Sequence, residues 1–335
     1  MTRIRTRALS VAAAVLSLAL AACGSTTTTT GASPAASGAA SGAAKTYKIG
    51  ITQIVSHPSL DAARDGFMKA LADANVTATY DEQNAQGDQG TATNIAAKFN
   101  SAGLDLVLAI ATPTAQASAQ AITKTPILFT AVTDPVAAKL VVSNEAPGAN
   151  VTGTTDMNPV AQQIALIKKL KPTAKTVGII YSSGEVNSAV QVEAAKKAAA
   201  TEGLTVVEKT VTNTSEVQQA ASSLTVDAIY VPTDNNVVAG IDAVVAVAEK
   251  SKIPLVVGEG DSVKKGGIIT YGIDYSKLGY QTGQMAVKIL TQGAKPATMP
   301  VESQKDLKTY VNKAAAARMG ITIPDDLLKD AEVVG

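Results

Sequence analysis

The sequence predicts an α/β protein built as two similar doubly wound parallel-sheet lobes with a ligand cleft between them. Short β-branched runs alternate with longer stretches of helical periodicity, the rhythm of a parallel sheet covered by helices. A strand–helix–strand block of the first half recurs in the second half. Polar residues follow the apolar runs, and open parallel sheets bind ligands beyond the carboxyl ends of their strands.

The N-terminal segment precedes this pattern. Arg3, Arg5 and Arg7 form a basic start, Ala8 to Leu20 an apolar stretch, and Leu20-Ala21-Ala22 leads to Cys23, the only cysteine. That is the layout of a bacterial secretion signal over residues 1–22. The apolar run is shorter than the roughly 20 residues a membrane span needs. The segment resembles a lipoprotein signal, which implies cleavage before Cys23 and lipid on its thiol. From Gly24 to Ala44 the chain is nearly all Ser, Thr, Ala and Gly, so residues 23–45 read as a flexible tether.

The folded body begins with Lys48 to Ile54, a buried strand, followed by Leu60, Ala63, Phe67, Leu71 and Ala74 at helical spacing. Val76 to Tyr80, Leu104 to Ile110 and Ile127 to Phe129 continue as strands, with helices over Asp88 to Asn100 and Ala115 to Ile122. A second series has strands at Val177 to Tyr181, Thr205 to Val207, Ala228 to Val231, Leu255 to Val257 and Ile268 to Tyr271. Leu104 to Asp134 and Val226 to Asp261 both run strand, Thr/Pro turn, helix, X-Pro-apolar strand, acidic loop. The period is far too long for a solenoid.

Composition narrows the partners. Lys plus Arg total 29 against 28 for Asp plus Glu, which leaves no basic field for nucleic acid. A small neutral or zwitterionic solute fits better. With Cys23 committed to lipid, no intramolecular disulfide forms, and a monomer is expected. Aromatics are only 3% and Trp is absent, so each Tyr or Phe weighs as a ligand contact.

Candidate site residues stand after the strands. Gln53 and His57 follow the first; His57 is the lone histidine and packs in the turn or faces ligand, and it excludes a multi-histidine metal site. Thr112, Thr114 and Gln116 open a helix whose free N–H groups suit a carboxylate, although Thr114 can serve simply as a cap. Asp134 and Asp234, with Asn235 beside the latter, occupy equivalent places in the two halves, where an Asp caps a helix or pairs a ligand ammonium. Tyr181 and Asn187 follow the first strand of the second series; Tyr271 and Asp274 follow its last, and the nearby Tyr275 reads as a hinge filler.

These stretches, GITQIVSHPSLDAARDGF, DEQNAQGD, IATPTAQA, TAVTDP, NVTGTTD, YSSGEVNS, YVPTDNN and YGIDYSKLGYQTGQMA, resemble the ABC-transporter substrate-binding lipoproteins of the tryptophan/tyrosine-binding type. The resemblance runs from about Lys45 to the C-terminus and implies the type I periplasmic-binding-protein fold. It also implies hinge-closing capture of a solute, an amino acid and aromatic above all, and delivery to an ABC permease by a receptor held outside the cytoplasm by lipid. By resemblance Gln53, Thr112, Thr114, Gln116, Asp134, Asn187, Asp234, Asn235 and Asp274 line the cleft, with Tyr181, Tyr271 or Phe129 for stacking. It places chain crossings near Gly153, near Asp274 and after Gly293, so that 46–153 plus 275–293 form lobe 1 and 154–274 plus 294–335 form lobe 2.

No phosphate-binding loop, Gly-x-Ser-x-Gly elbow or His-Glu-x-x-His occurs, which argues against an enzyme and against any cofactor. A hydrolase using Asp134 and Asp234 stays open on sequence, as does a sensory receptor feeding a chemoreceptor or kinase. A repressor would need a helix-turn-helix where the signal and tether stand.

Overall fold

Two sheets organise residues 45–335, the part of the chain that the computed structural model describes. The signal segment, Cys23 and nearly all of the tether lie outside the described residues. The first half runs β1 (Tyr47–Gln53), α1 (Pro58–Asp73), β2 (Ala78–Asn84), α2 (Gln89–Ser101), β3 (Leu106–Ile110), α3 (Thr112–Ala121), β4 (Ile127–Thr130) and β5 (Val151–Thr155). The second runs α4 (Val160–Leu170), β6 (Thr176–Ser182), α5 (Val186–Thr201), β7 (Thr205–Val211), α6 (Val217–Ser222), β8 (Ala228–Val231), α7 (Asn235–Ala239), α8 (Ile241–Ser251), β9 (Leu255–Val257), α9 (Gly260–Lys265) and β10 (Ile269–Gly272). The rest comprises α10 (Tyr275–Gln292), β11 (Glu302–Ser303), β12 (Lys308–Val311), α11 (Lys313–Met319), α12 (Asp325–Leu328) and β13 (Glu332–Val333).

The first sheet has the order β11-β5-β4-β3-β1-β2 and is parallel throughout. The second has the order β13-β12-β10-β9-β8-β6-β7, with β12 antiparallel to β10. Within each, the first five strands of the lobe follow the same doubly wound order, second-first-third-fourth-fifth, so the sequence repeat is a repeat of topology. This order places a switch point between β1 and β3 in one lobe and between β6 and β8 in the other, where the loops diverge and leave a crevice.

Central strands bury both faces and read as continuous apolar runs. β3 (LVLAI) is buried at every position. Edge strands β2 and β7 alternate instead, which is why apolar runs reveal only part of them. The scarce phenylalanines all go into the first lobe's core, Phe129 included, so it is unavailable for stacking. Ala74 follows α1 as its exposed C-cap, outside the apolar stripe.

β5 (VTGTT) escapes an apolar-run reading because Thr fills its buried positions. Thr152 donates to the Met299 carbonyl (2.8 Å), and the Thr154 hydroxyl pairs with those of Thr130 (3.1 Å) and Thr282 (2.7 Å). One boundary is corrected by the same contacts. Residues 294–303 stay with the first sheet: Val301 N–H donates to the Asn144 carbonyl, and β11 pairs with β5. The third crossing therefore falls after Ser303, ten residues beyond Gly293.

Helix α10 returns from the second sheet to the first lobe and lies along α1. Their backbones touch at glycines. A Cβ at Gly279 would sit 1.8 Å from the Ala63 carbonyl oxygen, and one at Gly66 would sit 2.1 Å from that of Ser276. This fixes the N-termini of α1 and α10 side by side at the crevice.

Candidate ligand cleft

Between the lobes lies a closed cavity. Its first-lobe wall is His57, Ser59 and Leu60 from the start of α1, Ala131 and Thr133 after β4, and Tyr275, the first residue of α10. The second-lobe wall is Asn187, Thr233, Asp234, Asn235, Val238 and Glu259, and Asp156 comes from the crossing after β5. The enclosed space is ≈ 10 Å³, about what one water requires. It shares His57, Ser59, Val238 and Glu259 with an outer chamber of ≈ 290 Å³ that also involves Pro58, Ala239 and Ile241.

Three buried polar atoms without a hydrogen bond line this cavity. They are His57 Nδ1, Asn187 Oδ1 and Ser59 Oγ, the last facing Glu259; Thr52, Thr112, Ser118, Asn144, Asn158 and Ser262 carry others outside the inner cavity. The first turn of α1 adds two more donors. His57 occupies its N-cap without a side-chain cap, and the Ser59 and Leu60 N–H groups have no backbone partner. A helix start left open in this way receives an anion.

The other walls are acidic. The Asp156 carboxylate accepts from Thr133 Oγ1 (3.0 Å) and Tyr275 OH (2.5 Å), and burial raises its pKa. Glu259 caps α9 by accepting from the N–H groups of Asp261 (2.5 Å) and Ser262 (2.9 Å); burial, then the Asp261 charge, push it up to about 7. Behind Asn187 and Asn235, Glu185 accepts from both amides (3.0 and 2.6 Å). Burial and then the neighbouring Asp234 charge lift it to about 7 as well. No Lys or Arg lines the inner cavity, and burial lowers His57 to about 4, so it is neutral at pH 7. The arrangement therefore attracts a cation toward the carboxylates and an anion toward the start of α1.

Of the residues picked out on sequence, His57, Asn187, Asp234 and Asn235 line the cavity. Asp234 does so with a full set of protein partners. Its Oδ1 accepts from Val237 N–H (2.9 Å) and Ser182 Oγ (3.1 Å), its Oδ2 from Ser182 N–H (2.5 Å) and Ser188 Oγ (2.6 Å). The carboxylate ties β6, α5 and α7 together and has no capacity left for a ligand ammonium.

The others lie off the cavity. Gln53 donates to the Val55 carbonyl and to Asp61, shaping the turn before α1. Thr112 is buried at the first turn of α3, and Thr114 donates back to the Ile110 carbonyl (2.6 Å). Gln116 donates to the Ala138 carbonyl and lines a separate groove. Asp134 caps the turn after itself through Val136 and Ala137 N–H. The Tyr181 hydroxyl donates to Glu208, and Tyr271 offers its carbonyl to Gln163. Asp274 caps α10 and borders a shallow groove behind the cavity.

Ser59, Thr133, Asp156, Glu259 and Tyr275 were missed as site residues. Glu259 follows the fourth strand of its lobe, β9, as Asp134 follows β4, and that signal was available. Asp234 follows the third strand, β8; the expectation that Asp134 and Asp234 hold equivalent places is therefore corrected, because the repeat sets Asp234 against Thr112 to Thr114 after β3. Tyr275 is the one Tyr, Phe or Trp lining the cavity; it stands at the crossing that leads into α10 and its hydroxyl donates to Asp156 at the crossing after β5.

Two doubly wound lobes closing on an acid-lined crevice with an open helix start define a two-lobed solute receptor of the type I periplasmic-binding-protein fold. The family model described as ABC transporter substrate binding protein matches residues 48–334, and the chain belongs to that family. It is 44% identical over 275 residues to a tyrosine-binding protein of Clostridioides difficile (80% of this chain, 79% of the relative). A domain from Streptococcus pneumonia solved in complex with L-Trp superposes with TM-score 0.83 at 41% identity, covering 87% of this chain and 100% of that one. The ligand-free, open structure of a substrate-binding protein with adhesive properties from Clostridium difficile is 46% identical over 86% of this chain and 99% of its own, yet superposes at only 0.65. Despite the lower identity, the L-Trp complex is the better overlay, in keeping with the closed cavity described above.

Proposed function

We propose that this chain is a lipid-anchored receptor outside the cytoplasm that captures an aromatic amino acid, L-tyrosine or L-tryptophan, and hands it unaltered to the permease of an ABC importer. The observation that carries the reading is the cavity's polarity: donors of the α1 start on one side, Asp156 and Glu259 on the other. A zwitterion satisfies both at once. Its carboxylate takes the Ser59 and Leu60 N–H groups, its ammonium the acids. The ring extends past Tyr275 toward Pro58, Val238 and Ile241, because the inner space alone is too small for it. The relatives' ligands support the aromatic side chain.

A thermal-shift series on the purified chain tests this. A ligand that binds only the folded state raises the melting temperature, by about 2.7 kcal/mol of stabilisation at a hundredfold excess over Kd. L-tyrosine or L-tryptophan is expected to do so, and mass spectrometry is expected to return it unchanged after long incubation. A shift with glucose or inositol and none with any amino acid would overturn the reading.

The anchor has its own test. Cys23→Ser is expected to move the protein from the membrane fraction into the soluble one, since stable anchoring needs more than one acyl chain and the unmodified chain carries none. Persistent membrane retention of the variant speaks against the lipid.

A further inference from the structure

Glu259 belongs to the second lobe, and residues of the first help to bury it. It is 1% exposed, and the Ser59 hydroxyl on α1 and Tyr275 on α10 face it across the crevice. Opening the lobes uncovers it, so its burial reports closure. The charged and titratable groups around it offer little compensation. From α1 come neutral His57 and Asp61, from α10 Tyr275 with Asp156 behind it, from α8 Asp242, and from α9 Asp261 and Lys265. Lys265 is exposed in the outer chamber, and Lys264 is engaged by Asp261 at 2.8 Å. Closing the empty cleft therefore carries out of water a carboxylate that has hydrogen bonds from α9 but no counter-charge, which is costly unless the charge is neutralised.

We propose that the Glu259 carboxylate is the charge that holds the empty cleft open, and that closure is licensed by whatever neutralises it: a solute's ammonium group or, without solute, a proton. In the second case one proton passes from water to a Glu259 oxygen and no other covalent bond changes; the carbonyl oxygen keeps its helix N–H, and the hydrogen bond to the protonated oxygen weakens. The direction with pH follows. Hydrated in the open form, the group titrates near its ordinary 4.5, whereas buried in the closed form it is pushed to about 7. The closed form thus binds the proton more tightly, gains on the open form as pH falls through about 7, and is penalised above it. Solutes without an ammonium, such as sugars or deaminated acids, leave the charge in place and fail to close the cleft in alkaline solution.

The proton half of this needs no ligand; the ammonium half rests on the amino-acid reading given above. Small-angle scattering of the ligand-free chain at about pH 5.5 and about pH 8.5 tests the first half. A smaller radius of gyration is expected in acid, and Glu259→Gln, which removes the charge but also costs one of the two α9 N–H groups its acceptor, is expected to lose some stability and to stay compact at both pH values. An unchanged radius in the wild type, or a variant that opens in alkali as the wild type does, overturns the proposal. If the variant fails to fold, the wild-type series decides alone. At the alkaline pH, L-tyrosine is expected to compact the wild type and 3-(4-hydroxyphenyl)propionate to leave it open. Equal compaction by both overturns the ammonium half. A normal pH response with no compaction by any amino acid overturns the amino-acid reading and leaves the gate standing.

Discussion

Gly279→Ala is expected to destabilise the first lobe by about 4 kcal/mol or more, a loss at the far end of what single substitutions do. The added methyl meets the main chain of Ala63: its carbonyl oxygen at 1.8 Å, its carbon at 2.5 Å and its Cα at 2.7 Å. No side chain is there to swing away, so α10 must lift off α1. Gly66 and Gly283 hold the same interface, with a Cβ at 2.1 Å from the Ser276 oxygen and at 2.6 Å from that of Phe67. At 2–4 °C per kcal/mol the melting temperature is expected to fall by about 10 °C. Gly184→Ala, with nothing within 4 Å of its Cβ, serves as the control and is expected to change little. A Gly279→Ala protein melting with the control would show that the helices are further apart than described. The effect extends to function, because these helices end at the cavity with His57, Ser59 and Tyr275.

What the sequence discloses follows from how each element is buried. Central strands such as β3 and β8 stand out because both faces are covered and their residues are uniformly apolar. β5 has the same burial with Thr and Gly, its hydroxyls satisfied by neighbours distant in sequence, and nothing local betrays it. β11 has two residues and exists only because β5 offers an edge. The doubly wound order was legible from the alternation of elements, whereas the third crossing depended on that late strand.

The site was legible to the level of the loop and no further. Parallel sheets gather ligands at the carboxyl ends of their strands, so the loops holding His57, Asn187, Asp234 and Asn235 were identifiable. Within a loop, polar residues divide between those that face the cavity and those that hold the loop's shape. Thr114 and Asp134 belong to the second kind because each has a main-chain partner a few residues away. Asp156 and Tyr275 are of the first kind, though they lie far apart in sequence and meet only through the fold.

Asp234 shows the division most sharply, and Asp234→Asn decides it. An amide has one acceptor oxygen, whereas this carboxylate receives a backbone N–H on each: Val237 on Oδ1 and Ser182 on Oδ2. Either orientation of the asparagine sets its NH₂ against one of these N–H groups. The Ser182 and Ser188 hydroxyls can rotate to accept, but main-chain donors have no such freedom. One buried N–H is left unpaired and one charge-assisted bond is lost, together about 2–4 kcal/mol. The melting temperature is expected to fall by roughly 5–10 °C in ligand-free protein. Affinity for an amino acid is expected to change less, and only through displacement of Asn187 and Asn235, which flank the cavity. The opposite result, an unchanged melting temperature with binding abolished, would return Asp234 to the role of ammonium partner and take it from Asp156 and Glu259.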